Sequence, residues 1–280
     1  MARVLRELIK IPEVKVVEVR DAVLELHKNG LVSVVPTRQI ESAEDIRKLY
    51  FPGSREVCTL INDNDTWKDT YTGIPYNVAI ATNGTSVFDF PSGKPVVAMP
   101  IVEAKAALLN RLAGINGFPI ILDAHDTRSF VDALRPIASA YSGIQVSNVS
   151  SKHCFDIVPL LEDELHLPVI HDDQQGNATV ITAALINACK ACEMDFQNAK
   201  IGVIGLGVTG LAIARFVRSY TGNTVWGSTL SEESAGRHRT DGGILSSIED
   251  IMANMDIVIA TTSRGNIISP EMVRKGQIIL

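Results

Sequence analysis

Short apolar runs separated by segments of helical spacing give this chain its outline, and the alternation tightens toward the carboxyl end. From Lys200 the pattern reads strand (Ile201–Ile204), helix (Leu211–Tyr220), strand (Thr224–Trp226), helix (Ile248–Met255) and strand (Ile257–Ala260), with a last apolar run at Gln277–Leu280. Strands recurring with helices between them predict a parallel, doubly wound sheet. Earlier in the chain, Val78–Thr82 and Phe118–Asp123 are apolar enough for buried strands, and Leu31–Val35 reads as a short strand stopped by Pro36. A further strand, Leu167–Ile170, delivers His171, Asp172 and Asp173 at its end. Helical spacing covers Asp21–Lys28, Ile101–Ala113, Ser129–Ala140, Cys154–Leu165 and Thr179–Cys192. The expected fold is α/β with two domains, residues 1–177 and 178–280, bridged by the Thr179–Cys192 helix.

The run Gly205-Leu206-Gly207-Val208-Thr209-Gly210 follows the Ile201–Ile204 strand and opens a helix. GxGxxG is a weak pattern alone; in that context it predicts a Rossmann-type dinucleotide-binding turn. Gly205 would make the tight turn, Gly207 would admit a pyrophosphate to the backbone, and Gly210 would let helix and strand pack closely. The helix N-terminus then offers free N–H groups to the anion. A domain of this kind normally continues beyond a strand such as Gln277–Leu280, so the sequence is expected to stop short of the whole protein. The cofactor is NAD(P), and the reading leans to NADP. No acid ends the second strand, which runs into Gly227-Ser228-Thr229, and Arg237 and Arg239 follow within reach of a 2′-phosphate. Ser228 and Arg237 join the glycine turn as expected cofactor contacts.

Hydrophobic residues make up 46% of the chain and charged residues 21%, the proportions of an ordinary globular protein. A net charge of −6 argues against a nucleic-acid surface. No run approaches the roughly 18 apolar residues of a membrane span, and the N-terminus lacks a signal-peptide core, so a cytoplasmic location is expected. Cys189 and Cys192 have CxxC spacing, but they lie in a helical segment without a second pair; with Cys58 and Cys154 they read as reduced thiols.

Four side chains carry chemical potential. Tyr50 precedes the turn Phe51-Pro52-Gly53, and Asp172 and Asp173 are adjacent carboxylates at a strand end, where sites gather in α/β folds. Lys105 sits in a largely apolar helical segment, where desolvation would lower its pKa from about 10.4 toward neutrality and make it a proton shuttle.

The order and wording of several segments resemble the malic enzymes of the compact bacterial type: VVPTRQIESAEDIRKLYFPG, PIVEAKAALLNRLAGINGFPIILD, HCFDIVPLLEDELHLPVIHDDQQGNATVITAALINACK and the glycine turn. The likeness runs from about Asp21 to the end. It implies an N-terminal malic-enzyme-like catalytic domain, a C-terminal Rossmann-type NAD(P)-binding domain, and a homodimer. It also implies that Tyr50 and Lys105 form an acid–base pair, that Asp172 lies near the lysine, and that Asp173 is a metal ligand. Two departures stand out. Ser147 and Asn148 occupy the places of the family's two acidic metal ligands, and the family's glycine-rich substrate loop has become Asn83–Lys94, with Phe88, Asp89, Phe90 and Pro91 in it. Hard Mg²⁺ or Mn²⁺ seeks anionic oxygens, so Asp173 would be left as a weak site. Lys94, new in the loop, is a candidate for a positive charge facing an anionic substrate.

The sequence therefore predicts an NAD(P)-dependent oxidoreductase acting on a small hydroxy acid or related anionic alcohol, with metal dependence reduced or lost. Two alternatives stay open: an oxidative decarboxylase of malate with a weak divalent metal site, and a non-catalytic NAD(P)-binding regulator.

Overall fold

The computed structural model describes residues 2–12, 15–88, 90, 94–262 and 264–280. Two parallel sheets organise it. The first contains β1 (Asn77–Thr82), β2 (Asn116–Ile121), β3 (Gly143–Val146) and β4 (Val169–His171), in the order β2-β1-β3-β4. The second contains β5 (Ile201–Ile204), β6 (Val225–Ser228), β7 (Ile244–Leu245), β8 (Ile257–Ala260) and β9 (Ile278–Ile279), in the order β7-β6-β5-β8-β9. That second order places the first strand at the centre with strands added on both sides, the arrangement of a dinucleotide fold.

Helices α1 (Ala2–Leu8), α2 (Ala22–His27), α3 (Ala43–Leu49), α4 (Ser54–Asp63) and α5 (Lys68–Tyr71) precede the first sheet. Crossovers α6 (Met99–Ala113), α7 (Thr127–Leu134) and α8 (Ser151–Leu165) connect its strands. After β4 a π-helical turn, Asp172–Gly176, leads into α9 (Asn177–Ala191), which carries the chain to the second sheet. There α10 (Val208–Thr221), α11 (Glu232–Thr240) and α12 (Ile248–Asn254) form the connections. One apolar core runs from Ile144 and Leu161 through Leu185 of α9 to Ile201, Ile213 and Ile257, so α9 is packed from both sides.

The parallel α/β class agrees with the apolar runs, and several boundaries moved for identifiable reasons. The helix expected over Ser129–Ala140 stops at Leu134 and continues as a 3₁₀ turn, Arg135–Ala140. Pro136 has no N–H to give and its ring crowds the preceding turn. Leu31–Val35 is not a strand; Val34 is 94% exposed and the segment has no neighbour to pair with among the described residues. Strand β3 was not foreseen, because its four buried residues, GIQV, are too few to establish a period. Register pairs Ala81 with Val146 and Val146 with His171, so the ends of β1, β3 and β4 share one edge. The first site lies there.

Candidate active site

Gly117 of β2 sets the depth at which α6 lies on the first sheet: a Cβ there would come within 2.7 Å of the Ala106 Cα. Val102 and Ala106 then bury themselves against Ile80. Lys105, one position from that buried stripe, extends to the carboxyl edge of the strands. Its ammonium donates to the Ser147 hydroxyl and to Asp172 Oδ2, and lies 3.5 Å from Asn148 Oδ1. Asp172 Oδ2 also accepts from Gln145 Nε2 at 3.1 Å and from Ser147 Oγ at 3.4 Å. The structure thus brings Lys105, Ser147, Asn148 and Asp172 together. Lys105, expected in an apolar helical segment with Asp172 near it, is one half of an ion pair with that carboxylate.

His171, at the end of β4, is fully buried, and neither ring nitrogen has a protein partner. Burial pushes its pKa below the ordinary imidazole value, opposed by the nearby Asp172 and Asp173 carboxylates. It is therefore neutral at pH 7. The next residues form the π-helical turn, a feature that often marks functional sites because it displaces side chains from regular helical positions. Asp173 is exposed on this turn.

Residues His171, Asp172 and Asp173 hold candidate metal-binding atoms within 4.8 Å of one another. Their chemistry does not suit a hard divalent cation. Asp172 is bonded to an ammonium, the imidazole is sealed in the core, and Ser147 and Asn148 supply neutral oxygens where anionic ones are needed. A cation entering here would have to displace Lys105 from Asp172.

The second site is the turn after β5. Gly205 has φ +96°, and a Cβ there would lie 2.7 Å from Thr262 Cγ2. At Gly210 a Cβ would lie 1.9 Å from the Gly205 carbonyl oxygen, so these glycines close the turn. Around Gly207 nothing lies within 4 Å of such an atom. A compact turn with one open backbone face, ahead of the 14-residue helix α10, fits a dinucleotide pyrophosphate. Leu206 is buried beneath it, Val208 and Thr209 begin α10, and Thr261 Oγ1 donates to the Gly205 carbonyl at 2.6 Å. Thr261 escaped the sequence reading, since a threonine after a strand carries no signal of its own.

The two sites adjoin. Thr209 Oγ1 donates to the Asp173 carbonyl at 3.2 Å, and Asn177 Nδ2 reaches Thr209 Oγ1 at 3.4 Å. Gln145 and His171 were not singled out from the sequence either, although both flank Asp172.

Other expected residues lie elsewhere. Tyr50 ends α3 with its side chain in solvent, and among the described residues its hydroxyl makes no bond to the lysine cluster. Ser228 ends β6 half-buried. Arg237 is engaged by Asp156 at 3.3 Å and Glu233 at 3.3 Å, and its guanidinium lies over the Phe155 ring, 4.8 Å from the centroid. Arg239 and Lys94 are exposed. Asp89 and Pro91–Gly93 of the altered loop lie outside the described residues.

No protein-family model matches the chain. It is 41% identical to NAD-dependent malic enzyme 1 of Bacillus subtilis over 263 residues, 94% of this chain and 60% of that protein. With the NAD-dependent malic enzyme of Geobacillus stearothermophilus it shares 31% identity over 285 residues, 97% of this chain and 59% of that one. The crystal structure of the NAD-dependent malic enzyme from Thermotoga maritima superposes with a TM-score of 0.83 at 27% identity, covering 93% of this chain and 74% of the other. The chain spans about 60% of the length of the curated relatives it matches. At 41% identity over 94% of its length to one of these malic enzymes, the chain belongs to the malic enzyme family.

Proposed function

We propose that the chain forms the site of an NAD(P)-dependent oxidoreductase that interconverts a small 2-hydroxy acid and its 2-keto acid, with little or no dependence on a divalent metal. Residues 1–177 would bind the substrate and 178–280 the cofactor. The observation that carries the reading is the Lys105 ammonium, joined to Asp172 and to Ser147 at the edge where β1, β3 and β4 end.

In oxidation Lys105 passes one proton to Asp172, and the neutral amine so formed takes the proton of the substrate hydroxyl as the carbonyl forms. A nicotinamide cofactor held at the Gly205–Gly210 turn would supply the hydride acceptor for this oxidation. Lys105 then holds the new carbonyl oxygen by hydrogen bonding, and it returns the proton in the reverse direction. Loss of CO₂ makes a heavier demand, because full negative charge collects on that oxygen. One ammonium already paired with a carboxylate is poorly suited to carry it. Oxidation therefore outlasts decarboxylation.

The two curated relatives compared above are NAD-dependent. Glu232 and Glu233 open α11, and Arg237 is held by Asp156 and Glu233, so a 2′-phosphate would meet carboxylates before a free cation. We infer NAD ahead of NADP, the reverse of the sequence-based leaning. Tyr50 becomes the acid–base partner only when the N-terminal segment carrying it closes over the cluster. A homodimer is the assembly most consistent with that segment's apolar exposure.

The test is a steady-state assay of a panel of 2-hydroxy acids with NAD⁺ or NADP⁺, each in EDTA and in Mn²⁺. NADH formation that survives EDTA is expected, and Lys105→Ala should lower kcat by 10²–10⁴-fold, as removal of a general acid–base group does. Mn²⁺-dependent release of pyruvate from malate, silent in EDTA, would overturn the metal-independent reading. Tight NADH binding with no turnover of any acid would make the chain a nucleotide-binding regulator instead.

A further inference from the structure

The second sheet reverses direction at β5. From there the chain builds β6 and β7 on one flank and then returns to lay β8 on the other, which gives the order β7-β6-β5-β8-β9. In open parallel sheets the crevice at such a reversal is where a ligand is held. Ile204 and Ala260 are register partners at the ends of β5 and β8, so the next residues, Gly205 and Thr261, leave the sheet side by side at that crevice.

Thr261 meets the glycine turn at three points. Its N–H donates to the Ile204 carbonyl at 2.9 Å and its hydroxyl to the Gly205 carbonyl at 2.6 Å. The same hydroxyl lies 2.7 Å from the place a Gly210 Cβ would take. The N–H bond extends the ladder between β5 and β8, and any residue except proline would make it. The hydroxyl bond is different. Valine suits the end of a buried strand as well as threonine does, so strand pairing gives no reason for an O–H at this position. On the other flank the turn is tied through backbone, the Gly205 N–H donating to the Ser228 carbonyl at 2.8 Å. Among the described residues, no side chain besides Thr261 hydrogen-bonds the backbone of residues 205–210.

The position of the Gly205 carbonyl explains what the hydroxyl is for. This oxygen lies under the first turn of α10, 1.9 Å from the place of a Gly210 Cβ, and α10 starts at Gly207 without a side-chain cap. The uncapped N–H groups of that turn are the donors nearest to it, and they are also the groups a pyrophosphate would use. A buried carbonyl left without a partner is costly, so an unbonded Gly205 oxygen would draw on those donors. We propose that Thr261 is a positioning residue for the cofactor: its hydroxyl satisfies the Gly205 carbonyl from the β8 side and leaves the first N–H groups of α10 to the pyrophosphate. This rests on the dinucleotide reading of the turn and adds the residue that keeps the turn ready to bind.

The experiment titrates NADH, ADP-ribose and adenosine by calorimetry into the parent protein and into Thr261→Val, Thr261→Ala and Thr261→Ser. Valine keeps the shape without the hydroxyl, alanine removes both, and serine keeps the hydroxyl. Valine and alanine should each weaken NADH and ADP-ribose about tenfold, while serine stays within about threefold of the parent. Adenosine has no pyrophosphate and should bind all four proteins alike. NADH affinity in Thr261→Val equal to the parent's would overturn the proposal. So would adenosine weakened as much as ADP-ribose, because the hydroxyl would then support the domain and not the turn. A serine variant as weak as valine would overturn it too, since the methyl group and not the O–H would matter. Should Thr261→Val fail to fold, Thr261→Ala and Thr261→Ser decide by the same outcomes. A parent protein that binds neither NADH nor ADP-ribose would end the dinucleotide reading and the role of Thr261 with it. A parent that binds both, unmoved by the valine and alanine variants, loses this inference alone.

Discussion

One added methyl group separates two neighbouring glycines of the dinucleotide turn. At Gly210 the new Cβ would collide with the Gly205 carbonyl 1.9 Å away, so Gly210→Ala must force β5 and α10 apart. Overpacking of this kind costs roughly 1–3 kcal/mol, and both the melting temperature and NADH affinity should fall. At Gly207 the same atom enters open space, so Gly207→Ala should melt like the parent protein yet bind NADH about tenfold more weakly, a loss of about 1.4 kcal/mol. Equal affinity in Gly207→Ala would place the pyrophosphate elsewhere. The thiols offer a second comparison: burial pushes Cys154 up to about 12, whereas Cys58 and Cys192 are exposed. Ellman's reagent at pH 8 should modify those two at once, and Cys154 and the buried Cys189 only after denaturation. Residues at this scale were legible in the sequence where position alone defines the chemistry. The glycines after a strand, the lysine in an apolar helix and the acids at a strand end are of that kind. Gln145 and His171 were not, because a polar residue inside a buried strand acquires its meaning from what packs beside it. The Asp156 partner of Arg237 was equally hidden, being 81 residues away.

Elements followed the same division. Strand β5 agrees with its apolar run to the residue, since a continuous buried strand bounded by polar and glycine residues has no competing pattern. The α7–α8 contact could not be read. Arg128 of α7 bonds Asp132 at 2.5 Å and Glu164 of α8 at 2.6 Å, and Arg135 of the following turn also pairs with Glu164. These guanidinium groups hold the Glu164 and Asp132 carboxyls below their ordinary pKa values. A carboxyl lowered in the folded state stabilises it above the unfolded value and loses that contribution as pH falls through the folded value. Glu164→Gln should therefore melt below the parent at pH 7, and the gap should close as pH falls below about 4.5, the ordinary Glu value. A gap that stays constant down to pH 3 would mean the carboxylate contributes shape and not charge. Burial lowers the pKa of His238, on α11, and the consequence for stability has the same sign. Its folded form resists protonation, so stability is full above about 6.5 and declines as pH falls beneath it, by up to about 1.4 kcal/mol per unit. Replacing His238 by Gln should flatten that part of the profile.

For the whole molecule, the N-terminal segment stands apart from the two sheets. Neither α2 nor α3 has a buried residue. Val17 is 89% exposed, Leu24 71% and Leu26 69%, and none of the three belongs to an apolar core cluster. A monomer seldom leaves so much apolar surface together in water. The helices are nonetheless well formed, with Asp21 capping α2 and a Ser42–Asp45 capping box on α3. Well-capped helices with unused apolar faces suit the second copy proposed with the function as their occupant. Light scattering after size exclusion should then give a mass near twice 30.3 kDa, and the melting temperature should rise with protein concentration. Leu24→Asp combined with Leu26→Asp should shift the protein to the single-chain mass, with the concentration dependence abolished. Because the segment ends at Tyr50, the same variant should also reduce turnover while leaving NADH affinity, set by the distant turn after β5, unchanged. A parent protein that elutes as a single chain at every concentration would remove the reason for expecting Tyr50 near Lys105, and the acid–base role would rest on the Lys105–Asp172 pair alone.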